Sequence, residues 1–349
     1  MLEINWEKLK TLADKLAQSE GGPAQMQSEE YMLLKNYVNS LKDAQDWEGI
    51  LRVRELFEHI FAQDTMSIND VFMEINKLAI QACETLRKDE QLAQFLSTSG
   101  QALHRMGMHK EAIEVFNRSY DLYMRAGKNF KANESLHMTA LCLRPLGQTN
   151  KAREVLQKVM NSFEDDEPWL GHPLRTLAWL ERDEKRFEEA ENLIRKGLDN
   201  FIKSNAPENI IAEQLSDLAE IVGLQKRYKE AKDIFEESLS IFNRVGSKVV
   251  RQVARAQMKY AELELRMGNL SEALELLDKA DTALRSLGPY YDQIWKIEMM
   301  CVNVHLRMGN WQLALRKFGS VVSIFGKTEM KPRDLIRQVV NRVKIGSGI

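Results

Sequence analysis

Four side chains between positions 172 and 182 carry the most specific chemistry in the chain. His172, Arg175, Trp179 and Arg182 follow one another in steps of three, four and three, the spacing that lines residues up on one face of an α-helix. Each guanidinium on such a face can grip a carboxylate through two parallel hydrogen bonds. An indole between them can cover an apolar side chain or stack on a cation. An equivalent stripe some forty residues earlier holds His137 and Arg144, and later ones hold Arg255 and Lys296. The pattern points to recognition of an acidic peptide segment or a free C-terminus. The plainer alternative is an ordinary charged surface in which Trp179 is partly buried between neighbouring helices.

No comparable signal speaks for catalysis. The sequence contains no Gly-rich phosphate loop, HExxH, GxSxG or paired-Cys metal pattern. Its six histidines, His59, His104, His109, His137, His172 and His305, are scattered over different helices, and the expectation is solvated or groove-lining imidazoles rather than metal ligands. Cys83, Cys142 and Cys301 have no metal-ligand spacing and are odd in number, so they read as reduced, buried thiols. Neither metal nor cofactor is expected, and the chain is read as no enzyme.

Charge narrows the partners further. Lys and Arg number 49 against 51 Asp and Glu, a net charge of −2, which exerts no global pull on nucleic acid or an anionic membrane. Basic and acidic residues interleave, with no basic stripe along the chain. The first ten residues, MLEINWEKLK, carry charges where a secretory leader needs an apolar core, and no apolar run approaches a membrane span. A soluble, cytoplasmic protein with a protein or peptide partner is expected; its oligomeric state is left open.

A binding stripe works only if its helices are held in register, and the register is written in the sequence. The phrase LHRMGMHKEA at 103–112 returns as ELRMGNLSEA at 264–273 and HLRMGNWQLA at 305–314. In each, a helical run ends at a Gly that can close it in the left-handed conformation, and an Ala sits inside the next helix. The equivalent Ala residues are Ala112, Ala152, Ala190, Ala231, Ala273 and Ala314, in steps of 40, 38, 41, 42 and 41. A fixed period of this size marks stacked helix pairs that bury their apolar faces on one another. Lys185 and Lys226 stand where other copies have the turn Gly. Small residues at Gly100, Ala140, Ala178, Ala219 and Ala261, with Val302 the exception, let the paired axes approach closely.

The spacing predicts pairs over about 90–106 with 109–126, 130–146 with 149–163, and 170–184 with 187–203. They continue over 208–225 with 228–244, 249–267 with 270–286, and 290–308 with 311–325. Before them come helices at 2–18, 28–43, 47–62 and 68–87, and after them one at 332–344. Pro145, near the end of its helix, is expected to kink that helix.

These repeats resemble the tetratricopeptide repeat family in its longer variant of about forty residues. The likeness rests on the small residue of each first helix, the turn Gly (Gly107, Gly147, Gly268, Gly309), the Ala of each second helix, and an apolar residue four further on (Phe116, Leu156, Ile194, Phe235, Leu277, Phe318). The family's usual Trp is replaced by Leu96, Leu136, Leu174 and Leu215, and by polar Gln257 and Glu298; its usual Pro ending each repeat is absent. The resemblance implies an all-α, right-handed superhelical solenoid of antiparallel helix pairs. Its leading helices would wall a concave groove for a protein or peptide, which makes the chain a scaffold or adaptor. The expected organisation is an N-terminal helical bundle or degenerate repeat at 1–66, a connecting helix at 67–89, six repeats at 90–326 and a capping helix at 327–349. In its arrangement the chain also resembles the Rap-type bacterial receptors for signalling peptides, which would make it a peptide-switched regulator; the other alternative is the sensor module of a signalling complex.

Overall fold

The computed structural model describes residues 6–18, 28–58, 70–164, 167–246, 249–287 and 291–325. The described residues form sixteen α-helices and no strand. The chain divides into two compact units, Met1–Asp165 and Asp166–Ile349.

The first unit comprises α1 (Trp6–Gln18), α2 (Ser28–Asp43), α3 (Trp47–Leu56), α4 (Asp70–Leu86), α5 (Asp89–Arg105), α6 (His109–Arg125), α7 (Asn129–Leu143) and α8 (Thr149–Met160). The second begins with a single 3-10 turn, Pro168–Leu170, and continues through α9 (Gly171–Asp183), α10 (Phe187–Lys203), α11 (Glu208–Leu224) and α12 (Tyr228–Val245). It then adds α13 (Val250–Met267), α14 (Leu270–Leu287), α15 (Tyr291–Arg307) and α16 (Trp311–Phe325). Within each unit, from α2 onward, consecutive helices pack on one another, the all-α arrangement the period predicts. Two expectations need correction. The third helix ends at Leu56, short of position 62, and α7 stops at Leu143, so Pro145 lies in the turn and kinks nothing. The segment 332–344 lies outside the described residues.

The turns explain how a Lys can replace a Gly. Gly107, Gly147, Gly268 and Gly309 have φ of 78°, 71°, 88° and 77°, and Lys185 and Lys226 adopt the same left-handed backbone at 63° and 67°. The chain reverses identically in both cases. The amide after the turn residue returns to a carbonyl of the preceding helix, Met108 to Leu103 at 2.9 Å and Arg227 to Val222 at 3.3 Å. A side chain costs roughly 1–2 kcal/mol in that region, partly offset by the greater entropy that Gly loses on folding. Lys226→Gly should therefore stabilise the second unit by about 0.5–1 kcal/mol, seen as a higher urea midpoint with unchanged slope. Gln45 and Arg87 take the same conformation, so the turns after α2 and after α4 are built like those of the repeats.

Packing follows the small positions. Ala112, Ala152, Ala190, Ala231 and Ala273 are fully buried, as are Ala140, Ala178, Ala219 and Ala261. Phe116, Leu156, Ile194, Phe235 and Leu277 are also sealed, whereas Phe318 on α16 is 43% exposed because no further described hairpin covers it. A second register went unread in the sequence. Seven residues beyond the Ala, Ser119 donates to the Ala93 carbonyl at 2.8 Å and Ser238 to that of Ala212 at 2.7 Å, each tying a trailing helix to its leader. In the first unit, buried Arg54 links three helices: its Nε donates to Asn76 Oδ1 at 3.1 Å, and its guanidinium sits 4.6 Å from the Phe95 ring centroid. Burial lowers its pKa to about 10, against the opposing pull of Glu58.

Candidate functional site

The arginine stripe lies on α9, and the start of that helix is built to hold it. The Gly171 amide donates to Asn200 Oδ1 at 3.0 Å, while Asn200 Nδ2 donates to the Glu167 carbonyl at 2.9 Å. A side chain at Gly171 would collide with the Phe201 ring. The His172 ring is wedged against Trp169 and Phe201, at 5.8 and 5.0 Å between centroids. Burial, reinforced by the charge of Arg175, lowers its pKa to about 4. His172 is thus neutral at pH 7 and adds no cationic charge.

Arg175 and Arg182 face α11, where Glu213, Asp217 and Glu220 recur at i, i+4 and i+7. Arg175 donates to Glu213 at 2.9 Å and pairs with Asp217; Arg182 donates to Glu220 at 2.8 Å and to neighbouring Asp183 at 2.9 Å. On the far side of α11, Lys259 of α13 pairs with Asp217 and reaches Glu220 at 3.1 Å, while Arg255 approaches Glu213 at 3.4 Å. Three successive leading helices are therefore joined by a ladder of basic, acidic and basic rungs. Trp179 stacks beneath Arg175, whose guanidinium carbon lies 4.8 Å from the ring centroid.

Burial makes the ladder's inner rungs strong. The Asp217 side chain is 1% exposed and that of Arg175 14%. Burial alone would raise the Asp217 pKa, but Arg175 and Lys259 outweigh it and hold the carboxyl well below its usual range. Arg175 and Arg182 are likewise held charged by their carboxylates despite the opposing effect of burial. The outer rung differs, since the Arg255 side chain is 50% exposed.

Of the residues singled out from sequence, Arg175, Trp179, Arg182 and Arg255 come together here, with His172 at the edge. Lys296 lies on α15, its ammonium 5.9 Å from the Trp295 centroid, outside the ladder. His137 and Arg144 belong to the first unit, His137 being buried on α7 and Arg144 capping that helix. Sequence reasoning missed Asp217 and Lys259. The signal was present: the inter-helix pairs join residues 38 to 42 positions apart, the repeat period itself.

Two other features emerge. A cleft of about 410 Å³ opens between α10, α11 and α12, its aliphatic lining, including Leu198, Ile211, Leu215 and Ile234, flanked by the charged side chains of Arg195, Glu230, Asp233 and Glu237. In the first unit His104, His109 and Cys142 converge, one ligand atom of each lying within 4.8 Å of the others. Burial and the neighbouring His109 lower the pKa of His104 to about 4, and burial pushes the Cys142 thiol up to about 12.

Residues 91–165 and 211–286 match the tetratricopeptide repeat family model. A comparison with curated proteins gives no match. Among solved structures, a Rap protein complexed with Competence and Sporulation Factor is similar at a TM-score of 0.59 and 10% identity, over 92% of this chain and 98% of that one. The Rap conjugation gene regulator of the plasmid pLS20, in complex with the Phr* peptide, gives 0.57 and 12% over 98% and 97%. Aspartyl phosphate phosphatase F from Bacillus subtilis gives 0.51 and 12% over 90% and 94%. At these identities the likeness is one of fold.

Proposed function

We propose that this chain, built of tetratricopeptide repeats, is a non-catalytic scaffold that holds an extended, acidic segment of a partner protein against the leading helices of its second unit. One observation carries the reading. Of the seven side chains whose pairs join the three leading helices, the two most exposed are Arg255 at 50% and Lys259 at 26%, while the carboxylates of α11 are 20% exposed or less; Asp183, beside Arg182 on α9, is 40% exposed. The ladder leaves Arg255 as its most exposed charged group, and its inner ion pairs fix the rotamers of Arg175 and Arg182 in advance, which reduces the ordering cost of binding. Trp179 supplies a flat apolar surface beside them. The partner's carboxylates, from side chains or a free C-terminus, would be met first by Arg255. A cytoplasmic location accords with this role, and no described helix is long and apolar enough to cross a membrane.

Arg255 is also the residue to test, because its exposure separates binding from folding. Arg255→Glu should lower the melting temperature by no more than about 4 °C, since its pair with Glu213 is half exposed and exposed ion pairs contribute ~0–1 kcal/mol. It should weaken an affinity-captured partner at least tenfold, as expected when like charges meet in an interface. Equal recovery by both proteins would sink the proposal.

A second reading is a peptide-switched regulator of the Rap type, or the sensor module of a signalling complex. It is supported by superpositions that run the length of both chains onto Rap proteins solved with a bound factor or peptide. In that reading residues 1–66 form an effector bundle, 67–89 connect it to the repeats at 90–326, and 327–349 cap the array. The side chains of Trp311 and Leu315 on α16 are 65% and 71% exposed, so the last described hairpin still has an apolar face to cover in that reading. Small-angle scattering separates the two readings: a regulator changes its profile on binding peptide, and a scaffold keeps it.

A further inference from the structure

The turn at Gly107 does more than reverse the chain. It folds His104, in the last turn of α5, back beside His109, in the first turn of α6, with ring centroids 5.2 Å apart. The next leading helix, α7, then brings Cys142 up to them, its Sγ 3.3 Å from His104 Nδ1. Three helices from two successive repeats thus present two imidazoles and a thiol to one point. The His109 Nδ1 atom is buried and has no hydrogen-bond partner among the described residues, although a buried ring nitrogen ordinarily has one.

The distances fit a coordination sphere. With zinc–nitrogen bonds of about 2.0–2.1 Å and zinc–sulfur bonds of about 2.3 Å in a tetrahedron, adjacent ligand atoms stand roughly 3.3–3.7 Å apart. The sulfur–nitrogen edge already has that length. The longest separation in the cluster, no more than 4.8 Å, closes by about an ångström on side-chain rotation. Two imidazoles with one thiolate suit zinc and discriminate against magnesium and calcium, which prefer oxygen.

We propose that His104, His109 and Cys142 bind one zinc ion, which clamps the first two regular repeats together and keeps a fourth position for water. Binding releases the Cys142 proton to solvent and leaves a thiolate on the metal. The alternative is a self-contained cluster in which the Cys142 thiol merely hydrogen-bonds to His104.

Cobalt(II) titration of the full chain under reducing conditions decides between them. The expected result is one equivalent bound, tetrahedral visible bands and a thiolate-to-cobalt charge-transfer band, all displaced by zinc. Cys142→Ser should abolish the charge-transfer band. His109→Gln, at a partly buried position and checked for an unchanged fold by circular dichroism, should weaken binding at least tenfold. A Cys83→Ser/Cys301→Ser variant should keep the full spectrum. A chain that shows no charge-transfer band at saturating cobalt overturns the proposal, and so does unchanged affinity in folded His109→Gln.

Discussion

Asp217→Ala should cost the second unit about 3 kcal/mol, near the lower end of the range for removing one partner of a buried ion pair. The lower end applies because Arg175 retains Glu213 and Lys259 retains Glu220. For a unit of this size that corresponds to a drop of about 6–12 °C in melting temperature. A shift below about 2 °C would show that the ladder decorates the fold without holding it. The same carboxyl predicts an acid limb. It stays ionised in the folded unit, while in the unfolded chain it takes up a proton near pH 4. The unfolded state then binds more protons, and the stability Asp217 provides, complete at neutral pH, is lost as pH falls below about 4. Asp217→Asn should flatten that limb in a urea-unfolding series against pH.

Phe116→Ala should destabilise the first unit by about 3–5 kcal/mol through the cavity it leaves, and the sharper test is its coupling to Gly100. Phe116 is fully buried, and a Cβ built on Gly100 would lie 2.8 Å from its ring. Gly100→Ala alone should therefore cost about 1–3 kcal/mol by overpacking, less the ~0.5–1 kcal/mol that Ala gains over Gly in a helix. With the ring gone the obstruction is gone, and Gly100→Ala should then stabilise. A double-mutant cycle that came out additive would mean the two residues do not share their space as described.

The parts of the fold that repeat were legible, because a forty-residue period sets packing and topology together. Ala112 and its five equivalents mark every hairpin of the array, and the same register puts Lys185 and Lys226 at the turns where their backbone is left-handed. The end of the array was less readable, since Phe318 carries the same apolar signature as Phe116 but has no described neighbour to bury it. The site was half legible. Helical periodicity put Arg175, Trp179 and Arg182 on one face. It said nothing of their partners, because Asp217 and Lys259 meet them only across one repeat. His104 and Cys142 were read as scattered for the same reason: they are 38 residues apart, a separation that looks remote along the chain and is adjacent in a stack of this period.

The ladder also governs how the second unit can open. Every inter-helix rung joins one leading helix to the next, so α11 cannot loosen without breaking pairs on both sides. Backbone amides of α9, α11 and α13 should accordingly exchange with deuterium as one cooperative block, at a common and late rate. The amides of α16, beside side chains left in water, should exchange first, so that breathing begins at that end and stops at Asp217.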